Sequence, residues 1–517
     1  MVSYLPLLAT TLLIAQTIVV AGCAGSARQR SSPLAHSGAL AHSEPIAINA
    51  PRFPTADSES QAQIRLASFG TLQEDANPEA AQNAQDDSTT IEVVDPIHRL
   101  PTSTSSPTQE FSQGAMTLAD FESMALVNNP TIAQMVATTQ KAAGFRTQVG
   151  LRANPFVGYN GTQIADAGTD QHTAIISQTI ITADKLELNR RVLNEALRSQ
   201  LLELEAQKYR VATDVRVKFF EALAIQQQQK LIGDFQTIAN KGVELANLRK
   251  NAGEGSQLEV VQAKVQQNEI DLALQQAQAN FDGAWRELVA LVGSPGMLPA
   301  TLHGALPTSD VDVDWNGLAA SILQASPEYC AAEVRVAQAR ANLQRQCVQP
   351  IPNLNVSFGA GVDNGTNSGL MNLQVGAPLP VFNQNQGNIA AARAELTRAA
   401  RDVARIENSI KARVGAVSGD YNASLVAVNK YAVDILPNAQ EGLKLAEIAY
   451  KAGETSFVQV LVARRTYFDS NLQFLKSQTL LAQSRALVDG YVLTGSLAAL
   501  TDNSGDSSLR DLTLGQE

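Results

Sequence analysis

The segment AGEGSQLEV at residues 252–260 has a near copy, AGETSFVQV, at residues 452–460. Each copy contains a glycine followed by a serine, and the two glycines are 200 residues apart. A glycine can end one helix in the left-handed conformation, and a serine can cap the start of the next. Because the flanking residues have helical composition, each copy predicts the tip of a long helical hairpin. The chain is therefore predicted to carry two hairpins in tandem.

The segments on both sides of these tips predict long helices. No proline occurs in residues 184–251, so a helix about 100 Å long fits there at a rise of 1.5 Å per residue. Its apolar positions follow a seven-residue repeat that favours side-by-side helix packing: Leu197, Leu201, Leu204, Val211, Val215 and Ala222. Residues 257–292 predict the returning helix. In the second repeat, residues 385–452 predict one long helix that Pro437 should kink.

Each repeat also contains a pair of predicted β-strands. They cover residues 156–164 and 171–181 in the first repeat, and 353–362 and 370–377 in the second. These lengths are near the roughly 9–11 residues that a tilted strand needs to cross a bilayer. Four strands cannot close a membrane barrel, since about eight is the smallest number that does, and lipid does not tolerate an open edge. Several copies must therefore combine, and three copies would give twelve strands.

The N-terminus predicts export and lipidation. Residues 1–22 are mostly apolar and predict a signal peptide, and the small residues before Cys23 are typical of a bacterial lipidation site. The absence of Lys and Arg from the first four residues departs from that pattern, and a plain signal peptide with an incidental cysteine is the alternative. Residues 23–114 are rich in Ser, Ala, Pro, Gln and Asp, which predicts a disordered tether. Residues 498–517 predict a polar tail.

Composition and motifs exclude several classes of function. The net charge of −11 and the sequence pI of about 5.1 argue against a nucleic-acid partner. The sequence contains no HExxH, GxSxG, Walker A or CxxC motif, so we predict neither an enzyme nor a cofactor or metal site. Cys330 and Cys347 fall on one predicted helix about 25 Å apart, which excludes a disulfide between them.

Three features together resemble the TolC-like outer-membrane efflux protein family. They are the duplicated order of elements, the strand exits QTI at 178–180 and PLPVF at 378–382, and the segment AYKAGETSF at 449–457. The resemblance covers residues 115–497. It implies a homotrimer in the bacterial outer membrane that extends into the periplasm and docks onto a periplasmic adaptor (membrane fusion protein) and an inner-membrane pump. The segment ISQTIITADK at 176–185 is similar to the cobalt-zinc-cadmium, heavy-metal efflux branch.

We therefore predict a mainly α fold with a membrane β-barrel contribution. Its two tandem repeats, residues 115–300 and 315–497, would form an α-barrel of coiled-coil hairpins and a trimeric 12-stranded β-barrel. The predicted function is the outer-membrane channel of a tripartite efflux system, an exit duct for small solutes such as metal ions or drugs. The alternatives are a periplasmic coiled-coil adaptor or scaffold lipoprotein, and an outer-membrane channel for type I protein secretion.

The predicted site residues lie at the tips. The resemblance implies that they contact the adaptor, although simple helix capping would explain the same sequence: Gly253, Glu254, Gly255, Ser256, Gly453, Glu454, Thr455 and Ser456. Family members can place acidic residues just past the tip, facing the closed pore. This chain has Gln459 and Val462 there in the second repeat, and only Glu259 in the first repeat is acidic. In a trimer, Glu259 would form a ring of three carboxylates; a solvated surface residue is the alternative.

Overall fold

The computed structural model describes residues 115–165, 168–309 and 313–504. The predicted signal peptide, Cys23 and the tether lie outside the described residues, as do residues 505–517. The first repeat consists of β1 (Met116–Thr117), α1 (Leu118–Asn128), α2 (Pro130–Gln148), β2 (Phe156–Thr162), β3 (Gln171–Ile180), α3 (Lys185–Asn251) and α4 (Gln257–Val292).

The second repeat has the same order of elements. It consists of β4 (Leu302–His303), α5 (Trp315–Ala325), α6 (Pro327–Val348), β5 (Leu354–Asp363), β6 (Ser368–Gly376), α7 (Gln386–Lys430), a π-helical segment (Tyr431–Ile435), α8 (Leu436–Lys451) and α9 (Phe457–Asp489). The duplicated order that the sequence predicts is therefore confirmed. The parallel pairing of β1 with β4 was not predicted.

Local sequence explains how the short helices begin. Thr117 caps α1 in a reciprocal capping box with Asp120. Asn129 caps α2 by accepting a hydrogen bond from the Thr131 backbone N–H at 2.9 Å, and Pro130 occupies the first helical position. The Asn129 side chain also donates to the Leu291 carbonyl at 2.6 Å, so this cap ties the start of α2 to the end of α4.

The four long strands form one antiparallel sheet in the order β2-β3-β5-β6. One face of this sheet is apolar and largely exposed in the single chain. Its central row, fixed by the strand register, is Val157, Ile176, Phe358 and Leu373. The next row contains Tyr159 and Met371, and Met371 is 80% exposed. The part of the chain that the structure describes leaves this face largely open.

The opposite face of the sheet is polar. It carries hydroxyl and amide side chains that alternate with the apolar residues along each strand: Asn160, Thr173, Ser177, Ser357, Asn372 and Gln374. The sheet thus has one apolar face and one mostly polar face, and on the polar face strand β3 is partly buried, with Thr173 6% exposed. None of the described helices contains a stretch long and apolar enough to cross a membrane.

The main core lies midway along the helices, where α1, α3 and α4 meet. Phe121 packs there against Phe219 in a tilted arrangement and against Trp285 in a T-shaped one, with ring centroids 5.8 Å apart in both pairs. A second core joins α3 to α5, α6 and α7 around Ile406 and Ile410. These clusters join both repeats into one body, because each of them contains residues from the first and the second repeat.

In the single chain, the upper part of α3 buries residues outside the predicted heptad. Leu201 is 49% exposed, whereas Val192, Leu193 and Ala196 are buried. The upper part of α3 packs against α2 and α6 as well as against other helices, so its buried face is wider than one coiled-coil seam. From Val211 onward the predicted positions are buried, because α3 there packs in the main core with α4.

A buried lysine joins the two repeats where the sheet meets the helices. Lys185, at the start of α3, is only 4% exposed and donates to the carbonyl of Ile351 and to Oδ1 of Asn353, the latter at 2.8 Å. Burial and the nearby Arg345 guanidinium lower the pKa of Lys185 to about 8. The amine therefore links the exit of β3 to the entry of β5 and fixes the hairpins relative to the sheet.

The thiols behave as predicted. Cys330 and Cys347 are both partly buried, and no disulfide joins them. Burial and the neighbouring Glu333 raise the pKa of Cys330, which keeps this thiol in its less reactive form.

Candidate docking and gate site at the helical tips

The first tip, residues 252–256, reverses the chain between α3 and α4. Gly253 has φ = +80°, and the backbone N–H of Glu254 donates to the Arg249 carbonyl at 2.9 Å. This six-to-one hydrogen bond defines a Schellman motif, which requires a residue that tolerates the left-handed conformation. Ser256 then caps α4 by accepting from the Glu259 N–H at 3.2 Å. The predicted stop and cap are both confirmed here.

The second tip, residues 452–456, repeats the helix stop but not the cap. Gly453 has φ = +79°, and the Glu454 N–H donates to the Ala449 carbonyl at 2.9 Å. Ser456 makes no side-chain capping bond, so the predicted cap is wrong at this tip. Instead, the hydroxyl of Thr455 donates to the side-chain oxygen of Gln459, which holds the first turn of α9.

A small cluster of side chains connects the two tips. The Arg249 guanidinium lies 4.6 Å from the centre of the Tyr450 ring, and the Tyr450 hydroxyl donates to Glu259 Oε2 at 3.4 Å. The Tyr450 and Phe457 rings are 5.5 Å apart. We call Arg249, Glu259 and Tyr450 the latch, because Tyr450 of the second hairpin lies between Arg249 and Glu259 of the first.

The environment of the latch keeps the tyrosine protonated. Burial first, and then the negative charge of Glu259, raise the pKa of Tyr450 above its usual value. A protonated hydroxyl can donate to the carboxylate, whereas a phenolate beside Glu259 would be repelled. The latch is therefore a charge-assisted hydrogen bond combined with a cation–π contact.

The predicted site residues divide into three groups. The tip residues form the first group: Gly253, Glu254, Ser256, Gly453, Glu454 and Ser456 are exposed at the end of the molecule, and Gly255 and Thr455 beside them are partly buried. Glu259 is half-buried and accepts a hydrogen bond from the Tyr450 hydroxyl at 3.4 Å, and both the pore-facing and the solvated-surface role stay predictions. Gln459 is exposed and binds Thr455 within its own hairpin.

Sequence reasoning missed Arg249 and gave Tyr450 only a packing role. Arg249 precedes the first tip, where a basic residue at a helix C-terminus has an ordinary structural explanation. Tyr450 falls in the predicted long helix of residues 385–452, where an aromatic side chain has an ordinary packing role. Their contact spans 201 residues of sequence, and no local pattern could have shown it.

A groove of about 430 Å³ runs upward from the tips between α4 and α9. Phe235, Ile270 and Phe468 form its floor, and half-exposed valines such as Val265 and Val462 form its walls. Gln459 and Val462 stand where the sequence analysis notes that family members can carry acidic residues. The surface beside the latch is accordingly mainly apolar.

The fold and this site define a class of protein. Its members have a sheet with one apolar and one polar face at one end, and helices of about 100 Å join this sheet to paired tips at the other end. Comparison with known proteins places part of the second repeat in a known family. Residues 318–490 match the family described as outer membrane efflux protein. The second repeat is thus an outer membrane efflux domain, and the resemblance to TolC-like channels is confirmed. This family consists of efflux proteins, in agreement with the prediction that the chain is not an enzyme.

Two curated relatives match about half of the chain. The cobalt-zinc-cadmium resistance protein CzcC of Cupriavidus metallidurans is 28% identical over 272 residues, which are 51% of this chain and 64% of CzcC. The pyoverdine export outer membrane protein OpmQ of Pseudomonas putida is 26% identical over 325 residues, 58% of this chain and 66% of OpmQ. The matched part thus spans just under two thirds of each relative's length. The family description and OpmQ confirm the predicted outer-membrane location.

Solved structures confirm the fold. The structure of CusC, described in terms of transmembrane channel formation, superimposes with a TM-score of 0.61 at 18% identity, covering 73% of this chain and 92% of CusC. The mainly helical, tandem-repeat architecture predicted from the sequence is therefore that of the TolC-like channels.

Proposed function

We propose that this protein is the outer-membrane channel of a tripartite efflux system, an exit duct for small solutes. The two-faced sheet is the observation that carries the proposal, because its apolar face suits lipid and its polar face suits an aqueous passage. In a soluble periplasmic scaffold, the apolar row of Val157, Ile176, Phe358 and Leu373 would be exposed to water, which is unfavourable.

The sheet edges require further copies of the chain. Strands β2 and β6 each pair on one side only, which leaves backbone donors and acceptors unpaired at both edges. In lipid these groups must find partners, and β6 of one copy next to β2 of another supplies them. Exposed apolar residues continue along the helices of the same chain, with Leu272 on α4 and Val426 on α7. Three copies give a closed barrel of twelve strands above a ring of hairpins.

Native mass spectrometry in detergent and single-channel recording in planar bilayers test this proposal together. We expect a complex of three copies that conducts ions once its tips are released from the closed arrangement. A stable monomer that retains its full β-content and shows no conductance in any condition would contradict it.

The cargo proposed first is a metal ion. The likeness to CzcC favours divalent cations, while the likeness to OpmQ favours an organic chelator. No group of three or more metal-ligating side chains occurs in the described part of the chain, so cations would pass hydrated and unbound. Deletion of the gene should raise sensitivity to cobalt, zinc or cadmium. Loss of siderophore export alone would assign the other cargo.

The exposed tips are proposed to dock onto a periplasmic adaptor that leads to an inner-membrane pump. Gly453→Val tests this role, because valine at φ = +79° costs about 1–2 kcal/mol of backbone strain while its side chain meets no neighbour. That strain is too small to unfold the hairpin but suffices to distort the tip. We expect normal amounts of assembled protein, with adaptor crosslinking and efflux reduced by up to about ten-fold.

Gly442→Val is the matched control for that variant. Gly442 lies on the same helix, has no positive φ and also has open space around it. It should leave adaptor crosslinking and efflux near the parent level. If Gly453→Val assembles and pumps like the parent, the tips are plain turns and the adaptor docks elsewhere.

A further inference from the structure

The two ends of the four-stranded sheet differ in charge. The strands and their turns, residues 156–180 and 354–376, contain no Lys or Arg and three Asp. The segments that join the sheet to the helices instead contain nine Lys or Arg and two Asp or Glu. These segments are residues 140–155, 181–193, 340–353 and 377–394. Because the whole chain has a net charge of −11, this cationic band is a local feature of the junction.

Five arginines of the band are exposed and form no ion pair with any described residue. We call them the arginine belt: Arg146, Arg152, Arg191, Arg340 and Arg393. They lie near the ends of all four helices that meet the sheet, within about 12 Å of those ends at 1.5 Å per residue. The belt therefore includes a residue from every connection between the sheet and the helices.

Two buried cations add to the charge of the belt. Arg345 is 1% exposed and donates to Oδ1 of Asn189 at 2.6 Å and to Oε1 of Gln349 at 2.8 Å. Lys185 likewise donates to a carbonyl and to an amide oxygen. Neither cation pairs with a carboxylate in the part of the chain that the structure describes, so both raise the positive potential at this height.

Another copy of the chain cannot neutralise the belt. A neighbouring copy brings the same segments to the same height, and their two acidic residues are Asp184 and Glu187. The Glu187 carboxylate already lies 3.8 Å from the Arg190 guanidinium of its own chain. The belt arginines of each copy therefore meet at most one free carboxylate, and the belt stays positively charged in an assembled complex.

Apolar side chains are exposed beside the belt. Leu151, which directly precedes Arg152, is 53% exposed, and Leu379 and Phe382 before α7 are 81% and 92% exposed. Apolar side chains next to arginines are typical of the boundary between hydrocarbon and lipid headgroups, where the long arginine side chain can reach a phosphate. The lining of a water-filled passage offers no such environment to the apolar side chains.

The length of the strands places the belt at the level of the headgroups. Strands β3 and β5 have 10 residues each. At about 3.3 Å per residue and a tilt of about 40° they rise about 25 Å, which is the height of the apolar band of outer-membrane barrels. Residues just beyond the strands, on the helix side, then lie among the headgroups of one leaflet.

We propose that the arginine belt binds the phosphate groups of anionic phospholipids in the periplasmic leaflet of the outer membrane. This inference rests on the proposed channel function, which places the sheet in the membrane and the tips in the periplasm. Each guanidinium can donate two parallel hydrogen bonds to one phosphate. The opposite end of the sheet, which has aspartates and no cations, repels phosphates. The belt therefore fixes the depth and the direction in which the complex lies in the membrane.

Native mass spectrometry of the full-length complex in detergent tests the belt. The probes are equimolar dioleoyl phosphatidylglycerol and dioleoyl phosphatidylethanolamine, which share their acyl chains and differ in headgroup charge. We expect the parent to bind phosphatidylglycerol at least about five-fold more tightly, the factor that one arginine near an anionic surface supplies. The test variant should bind the two lipids about equally. It combines Arg146→Gln, Arg152→Gln, Arg191→Gln, Arg340→Gln and Arg393→Gln.

Two further variants separate charge at the belt from other effects. Lysine at the same five positions keeps the charge and should retain most of the preference for phosphatidylglycerol. The matched control removes five exposed basic residues far from the sheet and should bind lipid like the parent. It combines Lys230→Gln, Lys241→Gln, Lys264→Gln, Arg286→Gln and Lys444→Gln.

Three results would overturn the belt. The first is an assembled glutamine variant that keeps the parent's lipid preference, and the second is an equal loss in the control set. The third is an unchanged lipid preference together with a shifted reversal potential in a salt gradient, which would place the arginines inside the passage. A conducting complex of three copies without lipid preference contradicts only the belt, whereas a monomer without conductance contradicts the channel proposal.

Discussion

Replacing Leu373 by lysine should abolish stable assembly in the outer membrane. Leu373 lies near the middle of β6, on the apolar face, and is 69% exposed in the single chain. A lysine at the bilayer midplane costs about 2–4 kcal/mol, so three copies would lose about 6–12 kcal/mol. That loss is comparable to the whole stability of a typical domain. Membrane fractionation and the yield of oligomer in detergent measure the effect.

Asn372→Lys is the matched control, because Asn372 directly precedes Leu373 in the same strand and faces the other side of the sheet. A lysine there would point into water in the proposed pore and should leave assembly nearly normal. If the two variants assemble equally well, the apolar face is not in contact with lipid. In that case the two-faced sheet would need another explanation, such as a protein partner.

Removing the latch should open the channel. Tyr450→Ala deletes the cation–π contact with Arg249 and the hydrogen bond to Glu259, which together contribute about 1–3 kcal/mol per copy. With three copies the closed state loses at least about 3 kcal/mol, equivalent to more than about a hundred-fold shift toward the open state. Single-channel recordings should show larger and longer openings. Cells should also become sensitive to large antibiotics that normally stay outside.

Two further variants test whether the opening is specific to the latch. Tyr450→Phe keeps the ring over Arg249 and removes only the hydroxyl, so it should open the channel to a smaller extent. Gln459→Ala removes a side chain that binds only within its own hairpin and should leave conductance unchanged. A closed, parent-like channel in Tyr450→Ala would show that the contact between the tips does not hold the gate. If Gln459→Ala also opens the channel strongly, contacts within the second hairpin hold the channel closed, and not the contact between the two hairpins.

Local signals predicted the elements well because the residues that start and stop them are neighbours in sequence. Asn129 and Pro130 begin α2, Gly253 ends α3 and Ser256 begins α4, as their chemistry requires. Ser456 is the exception: it has the chemistry of a cap, yet its side chain makes no capping bond, and Thr455 bonds to Gln459 instead. A serine at the N-cap position therefore does not by itself ensure a side-chain capping bond.

Packing was predicted less well where one helix has several neighbours. A heptad describes contact along one seam, and α3 follows it only in its middle part. Near the sheet α3 also contacts α2 and α6, so Leu201 is exposed and Ala196 is buried. Similarly, Pro437 predicts a disturbance of the long helix, and the structure locates it in the π-helical segment Tyr431–Ile435 just before the proline.

The sequence by itself determined the tandem repeat, the paired strands, the two long hairpins and the glycines that turn them. Each of these follows from periodicity or from a conformational limit within a few residues. Only the tertiary structure decided that Tyr450 lies between Arg249 and Glu259, that Lys185 joins the two repeats, and that the four strands share one apolar face. These features join residues far apart in the chain, and such contacts depend on the register between packed elements. No local pattern encodes that register.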